Sequence, residues 1–253
     1  STIQEQKAFE SCQDVTLEYP VAENEGEEDN TYLSYNMVVG EAADINLSLA
    51  FEVLDYALLS APGAPLKQAL LDAKIGKDIY GSFEDGIKQT YFSIVAKGAN
   101  LSQKEEFVKV IRDTLTKIME EGIDKKAVTA GINYYEFRFR EADFSSYPKG
   151  LMYGLDILSS WLYDDTKPFC EVQLLEGFEF LKKALEEGYF EELIRKYLLD
   201  NTHGAILSLV PEKGLAAKRD KELEEKLENY RKSLSDEELT RMVENTKALE
   251  AYQ

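Results

Sequence analysis

Along the chain, stretches where apolar and polar positions alternate give way to stretches where apolar positions recur every three or four residues. That change of period separates strands from helices. Residues 14–19 (Asp-Val-Thr-Leu-Glu-Tyr) alternate and predict a half-buried strand. Thr31 to Val39, rich in Tyr and Val and closed by Gly40, predicts a second. The acidic segment Glu23 to Asp29 reads as a solvated loop, across which the two strands are expected to pair as antiparallel neighbours. Ile45, Leu49, Val53, Leu54 and Leu58 mark an amphipathic helix over 44–59, with Asp44 as its N-cap. Pro62, Gly63 and Pro65 end it, and Pro65 opens a shorter helix that stops before Gly76. Strands follow over 77–84 and 88–97, joined through Glu84-Asp85-Gly86, where Asp-Gly is a hairpin signal.

Helices dominate the next hundred residues. Ser102-Gln-Lys-Glu105 has the form of a capping box, and Phe107, Val108, Ile111, Leu115 and Ile118 supply an apolar face that ends at Gly122. Asp124 caps a further helix to about Ala142, and Pro148-Lys-Gly150 begins another to about Tyr163. Residues 171–187 and 189–199 predict two more, separated by Gly188, before a last strand over 201–210. Strands in antiparallel pairs and helices in runs give an α+β fold, a mostly antiparallel sheet packed on helices. This domain is expected to occupy residues 1–211.

From Glu212 onward the composition turns to Glu, Lys, Arg and Leu, with no strand signal. Leu215, Leu223, Leu227 and Tyr230 form a sparse stripe on one long helix, and Ser235-Asp-Glu-Glu238 is a second capping box that restarts a helix with Leu239, Met242, Val243 and Leu249. A single narrow stripe needs another helix to bury it. Residues 212–253 therefore read as the first arm of a helical linker hairpin.

Charge narrows the function classes. The net charge of −19 repels phosphate backbones and anionic lipid, so neither nucleic acid nor a membrane is an expected partner; the charge reads first as solubility and secondarily as attraction for basic partners such as cationic peptides. No run of 18 apolar residues and no leader pattern occurs, and the expected compartment is cytoplasmic. The start at Ser1 and the stop at Gln253 within a helical pattern read as cuts in a longer protein.

Candidate chemistry is sparse. His203 is the single histidine, and Cys12 and Cys170 lie far apart, either as free thiols or as one disulfide. Neither His-x-x-Glu-His nor His-Glu-x-x-His is present, and a zinc site needs several such ligands. No catalytic, cofactor-binding or metal residue is therefore assigned. His203, beside Asn201 and Gly204, reads as a bystander near the last strand. Gly76, Gly81 and Gly86 fit turns better than a phosphate loop. Glu136 and Arg140 form an i, i+4 helix pair. Tyr134, Tyr135, Phe137, Phe139, Phe144, Tyr147 and Tyr153 cannot all face one core, so some are expected on another surface, an interdomain contact or a peptide-binding wall.

The ordered set of strand, strand, helix, Ser-Ala-Pro-Gly-Ala-Pro-Leu-Lys-Gln-Ala-Leu-Leu (60–71), hairpin, Gly122-Ile-Asp124 and Asn133-Tyr-Tyr-Glu-Phe-Arg-Phe-Arg-Glu141 resembles a known arrangement. It is similar to the non-catalytic repeat in the first half of the insulinase (pitrilysin) zinc metallopeptidases, presequence protease branch. The charged C-terminal segment resembles the start of the hairpin that joins the two halves of those enzymes. The resemblance implies a non-catalytic domain that walls a peptide chamber and supports a catalytic repeat. It places zinc in that other repeat of the parent metalloendopeptidase, with no cofactor in this fragment. The implied partners are the catalytic repeat and second half of the same parent chain, with unfolded peptides as substrate. The alternatives are a stand-alone inactive structural or assembly subunit, and an acidic peptide-binding protein with no protease parent.

Overall fold

A computed structural model describes residues 3–253. The strands are β1 (Gln13–Val21), β2 (Thr31–Glu41), β3 (Asp78–Glu84), β4 (Gln89–Ala99) and β5 (Gly204–Lys213). They form a five-stranded sheet in the order β1-β5-β2-β4-β3. β2 pairs antiparallel with β4 and with β5, and β3 pairs antiparallel with β4. The helices are α1 (Ile45–Asp55), α2 (Pro65–Asp72), α3 (Lys104–Glu121), α4 (Lys125–Glu141), α5 (Lys149–Trp161), α6 (Leu175–Ala184), α7 (Tyr189–Leu193), α8 (Leu215–Ser233) and α9 (Asp236–Tyr252). The fold is α+β, a mostly antiparallel sheet packed on helices.

The expected pairing of the first two strands does not occur, because β5 lies between β1 and β2. The reason is in the burial. β2 is buried or half-buried along nearly its whole length, so it needs a partner on each side, while β1 is mostly exposed and suits an edge. At the β2–β5 seam Gly204 pairs with Met37, and a Cβ there would run into the Asn36 carbonyl and the Met37 sulfur. Only glycine lets the strands close at that point.

Local signals set several helix starts. Asp44 accepts from the Leu47 amide at 3.2 Å, and Asp124 accepts from the amides of Lys126 and Ala127 at 2.9 and 3.3 Å. Replacing Asp124 with alanine leaves those amides without a side-chain acceptor and should lower stability by about 1 kcal/mol, read from the midpoint of a urea titration. An unchanged midpoint would remove the cap from the account. The capping box expected at Ser102 lies two residues earlier: Gln103 Oε1 accepts from the Asn100 amide at 3.0 Å, and a short 3-10 turn, Leu101–Gln103, leads into α3. Asn100 is held in place from outside the helix, because its side chain also bonds Asp29 at 2.7 and 2.9 Å. Two helices end in wider π turns, Tyr56–Ser60 after α1 and Ile194–Leu199 after α7. The hairpin signal at Asp85-Gly86 holds, with residues 85–88 between β3 and β4.

The structure divides into two compact units. The first, residues 3–17 and 26–210, holds a core centred on Leu33, Tyr35, Phe51, Leu54, Phe92, Ile94, Phe107, Phe178 and Phe190. The second, residues 18–25 and 211–253, contains α8 and α9, where Leu223, Leu227, Tyr230, Met242, Val243 and Leu249 are all exposed. The capping box at Ser235 forms there as expected, with the Glu238 amide donating to Ser235 Oγ and Glu238 Oε2 accepting from the Ser235 amide. Among the described residues no helix is long and apolar enough to cross a membrane.

Candidate functional site

The feature that gathers the most ionisable side chains is a half-open cavity of about 350 Å³ in the first unit. Helical spacing aims its walls. Leu49 and Glu52 share a face of α1, Tyr135, Arg138 and Phe139 a face of α4, and Tyr153 and Asp156 a face of α5. Asp85 arrives from the β3–β4 loop, and Glu171 from the short 3-10 turn Cys170–Val172. Phe178 of α6 closes the floor.

Glu52 is the most unusual of these groups. It sits in the apolar run Phe51-Glu52-Val53-Leu54, the flanks of which are fully buried. The residue is half-buried and lines the cavity. Burial, then the charges of Asp85 and Glu171, push its pKa up to about 8, and Arg138 only partly offsets them. Glu171 is pushed up to about 7 by burial and by Asp85. Asp85 and Asp156 are raised as well, each chiefly by burial. Arg138, which also lines the cavity, forms no ion pair with them: its guanidinium stacks over the Tyr134 ring at 5.6 Å and donates to its hydroxyl at 3.3 Å.

Asp55 is one turn beyond Glu52. Its Oδ1 is buried without a hydrogen-bond partner, and its Oδ2 accepts from Ser60 Oγ at 3.2 Å. The carboxyl occupies the space a side chain at position 81 would fill, which explains the glycine in the middle of β3. Burial raises the Asp55 pKa too.

A shallower apolar groove shares Phe139 and Tyr153 with the cavity and continues over Ile157, Phe169, Val172 and Leu175. The aromatic residues singled out in the sequence thus divide. Tyr135, Phe139, Phe144 and Tyr153 line the cavity, with Phe144 edge-on to Tyr153 at 5.3 Å. Tyr134 stacks on Tyr56 at 5.5 Å, while Phe137 and Tyr147 stay exposed. Glu136 and Arg140 do pair, at 2.6 Å, and Lys182 of α6 joins them at 2.7 Å. Those bonds to Lys182 and then Arg140 hold the Glu136 carboxyl below its usual range, a structural role at the surface.

His203 is more buried than a strand-edge bystander. Its ring stands edge-on to Phe9 at 5.0 Å, its amide donates to Asn201 Oδ1 at 2.8 Å and its carbonyl accepts from the Val38 amide at 2.9 Å. Cys170 is a free thiol, 3.0 Å from Ser160 Oγ, and Cys12 is free as well. The residues present do not fit a zinc ion. The one imidazole packs against an aromatic ring, neither cysteine has a second nitrogen or sulfur donor beside it, and no group of three metal-binding side chains comes together among the described residues. Sequence reasoning missed Glu52, Asp85, Asp156 and Glu171. Its one available signal was a carboxylate inside an apolar helical run.

Comparison with known proteins agrees with this fold. Residues 3–135 match the family described as the peptidase M16 inactive domain, and residues 209–253 match the family associated with peptidase M16 subfamily C. The chain is 44% identical to protein HypA of Clostridium perfringens over 253 residues, covering all of this chain and 26% of that protein. It is 31% identical over 259 residues to presequence protease 1, chloroplastic/mitochondrial, of Arabidopsis thaliana, again over its full length and 24% of the relative. It thus spans about a quarter of the length of these relatives. Among solved structures, a protease from Helicobacter pylori superposes with a TM-score of 0.56 at 13% identity, over 79% of this chain and 44% of that one. The peptidase M16 inactive domain from Pseudomonas fluorescens gives 0.51 at 14%, over 82% and 46%. At such identities the likeness is one of fold.

Proposed function

The chain belongs to the peptidase M16 family, as its inactive domain followed by the segment associated with subfamily C, and from that membership we propose that it walls the peptide chamber of a larger zinc-dependent peptidase. The observation that carries the proposal is the match over residues 3–135, joined to relatives about four times longer that include a presequence protease. A domain whose own donors do not fit zinc can contribute surface, shape and charge, while the metal and its activated water belong to another repeat of the parent. The acidic cavity and the apolar groove beside it suit that part, because they offer an unfolded peptide a polar recess next to an apolar one. Residues 212–253 then act as the first arm of the linker to the second half.

The test is reconstitution. This chain alone, with added zinc, should leave a quenched fluorescent peptide intact. Mixed with the separately purified catalytic repeat of the same parent, it should restore cleavage that a chelator abolishes. Zinc-dependent, stoichiometric cleavage by the pure chain would overturn the proposal, and so would full activity of the catalytic repeat without it.

A further inference from the structure

We propose that the cavity between α1, α4 and α5 is a binding pocket for one arginine side chain of an extended peptide, with the neighbouring apolar residue of that peptide in the adjoining groove. The peptide as the source of the arginine rests on the proposed function; the pocket itself does not.

The geometry supplies a half-open recess with four carboxylates and one cation, Arg138, whose guanidinium is engaged with the Tyr134 ring. Glu52, Asp85, Asp156 and Glu171 converge on one cavity from four separate elements, and no lysine or arginine pairs with any of them among the described residues. Glu52 adds an observation of its own. A desolvated carboxyl without a hydrogen bond, beside the buried Phe51, Val53 and Leu54, costs stability unless something pairs with it. The protein retains it as part of the cavity lining. The walls between the carboxylates are aromatic, Tyr135, Phe139 and Tyr153, which favours a planar guanidinium over an ammonium because it can stack as well as pair. A volume of about 350 Å³ is at the small end for ligand sites and accommodates one long side chain. The groove that shares Phe139 and Tyr153 sets the register, placing an apolar residue beside the arginine.

Proton release follows from the same arrangement. Glu52 is faced by Asp85 from the β3–β4 loop, Glu171 from the 3-10 turn, Tyr135 and Arg138 from α4 and Asp55 from its own helix, so it holds a proton near neutral pH. An arriving guanidinium favours the charged form and expels that proton. Affinity should therefore strengthen between pH 6 and pH 9.

The experiment titrates this chain with acetyl-Leu-Arg-Phe-amide and with the same peptide carrying citrulline, the neutral isostere of arginine. Binding should be at least about tenfold weaker for citrulline, the size of a lost charge-assisted hydrogen bond. Calorimetry in two buffers of different ionisation heat should report protons released with the arginine peptide. The variants E52Q and E171Q should each erase most of the preference, whereas E224Q on the exposed face of α8 should leave it intact. Equal binding of the two peptides to the unaltered chain overturns the inference, as does a preference that survives both pocket variants. Binding without reconstitution would leave the pocket standing and sink the proposed function; reconstitution without binding would do the reverse.

Discussion

Replacing Phe51 with alanine should cost this chain about 3–5 kcal/mol of stability, the usual penalty for emptying a large aromatic site. Phe51 is fully buried on α1, and its ring lies 5.7 Å from each of Phe83, Phe92 and Tyr197. Those partners come from β3, β4 and the π turn Ile194–Leu199, so one side chain joins the sheet to two helical segments distant in sequence. Two of the surrounding rings are held on the sheet and cannot collapse into the space, which leaves a cavity rather than a relaxed core. Urea unfolding at pH 7 reads the loss directly, and the melting temperature should fall by roughly 10 °C for a domain of this size. A loss below about 1 kcal/mol would mean that the aromatic cluster is not the centre of the core.

The second large effect concerns pH. Glu52 binds its proton more tightly when folded, with its pKa moved from 4.5 to about 8. Between those values the folded state holds more protons at this group than the unfolded one, so the contribution of Glu52 to stability is fully present below about pH 4.5 and is lost as pH rises through 8. Glu171, raised from 4.5 to about 7, acts in the same direction over a narrower window. Glu52→Gln removes the cost of the buried charge and should raise stability at pH 8.5 by about 2 kcal/mol, a discounted figure because the carboxyl borders an open cavity. At pH 4.5, where the native carboxyl is already neutral, the substitution should change little. Melting curves at the two pH values test this, and a variant less stable than the parent at pH 8.5 would contradict it. The same change is expected to stabilise the chain and to weaken arginine binding. A purely structural glutamate would not give effects of opposite sign.

Much of this was legible in the sequence, unevenly. The helix starts at Asp44, Asp124 and Ser235 were readable because an N-cap needs only a side chain and an amide two or three residues away. The cap of α3 was misplaced by two residues, since Asn100 is fixed by Asp29, 71 positions earlier. The cavity was nearly silent. Glu52, Asp85, Asp156 and Glu171 are ordinary carboxylates in a chain with 48 acidic residues, and nothing local marks them as a group.

By itself the sequence determined the periods of the strands and helices, and many of the caps and breaks between them. These depend on residue type and on neighbours within a turn or two. Only the tertiary structure decided that β5 separates β1 from β2, that Gly81 makes room for Asp55, and that four carboxylates share one desolvated recess. Strand order is settled by which strand must be covered on both sides, and a pKa by what excludes water and brings like charges together. Both are properties of segments far apart in sequence, so no local pattern encodes them.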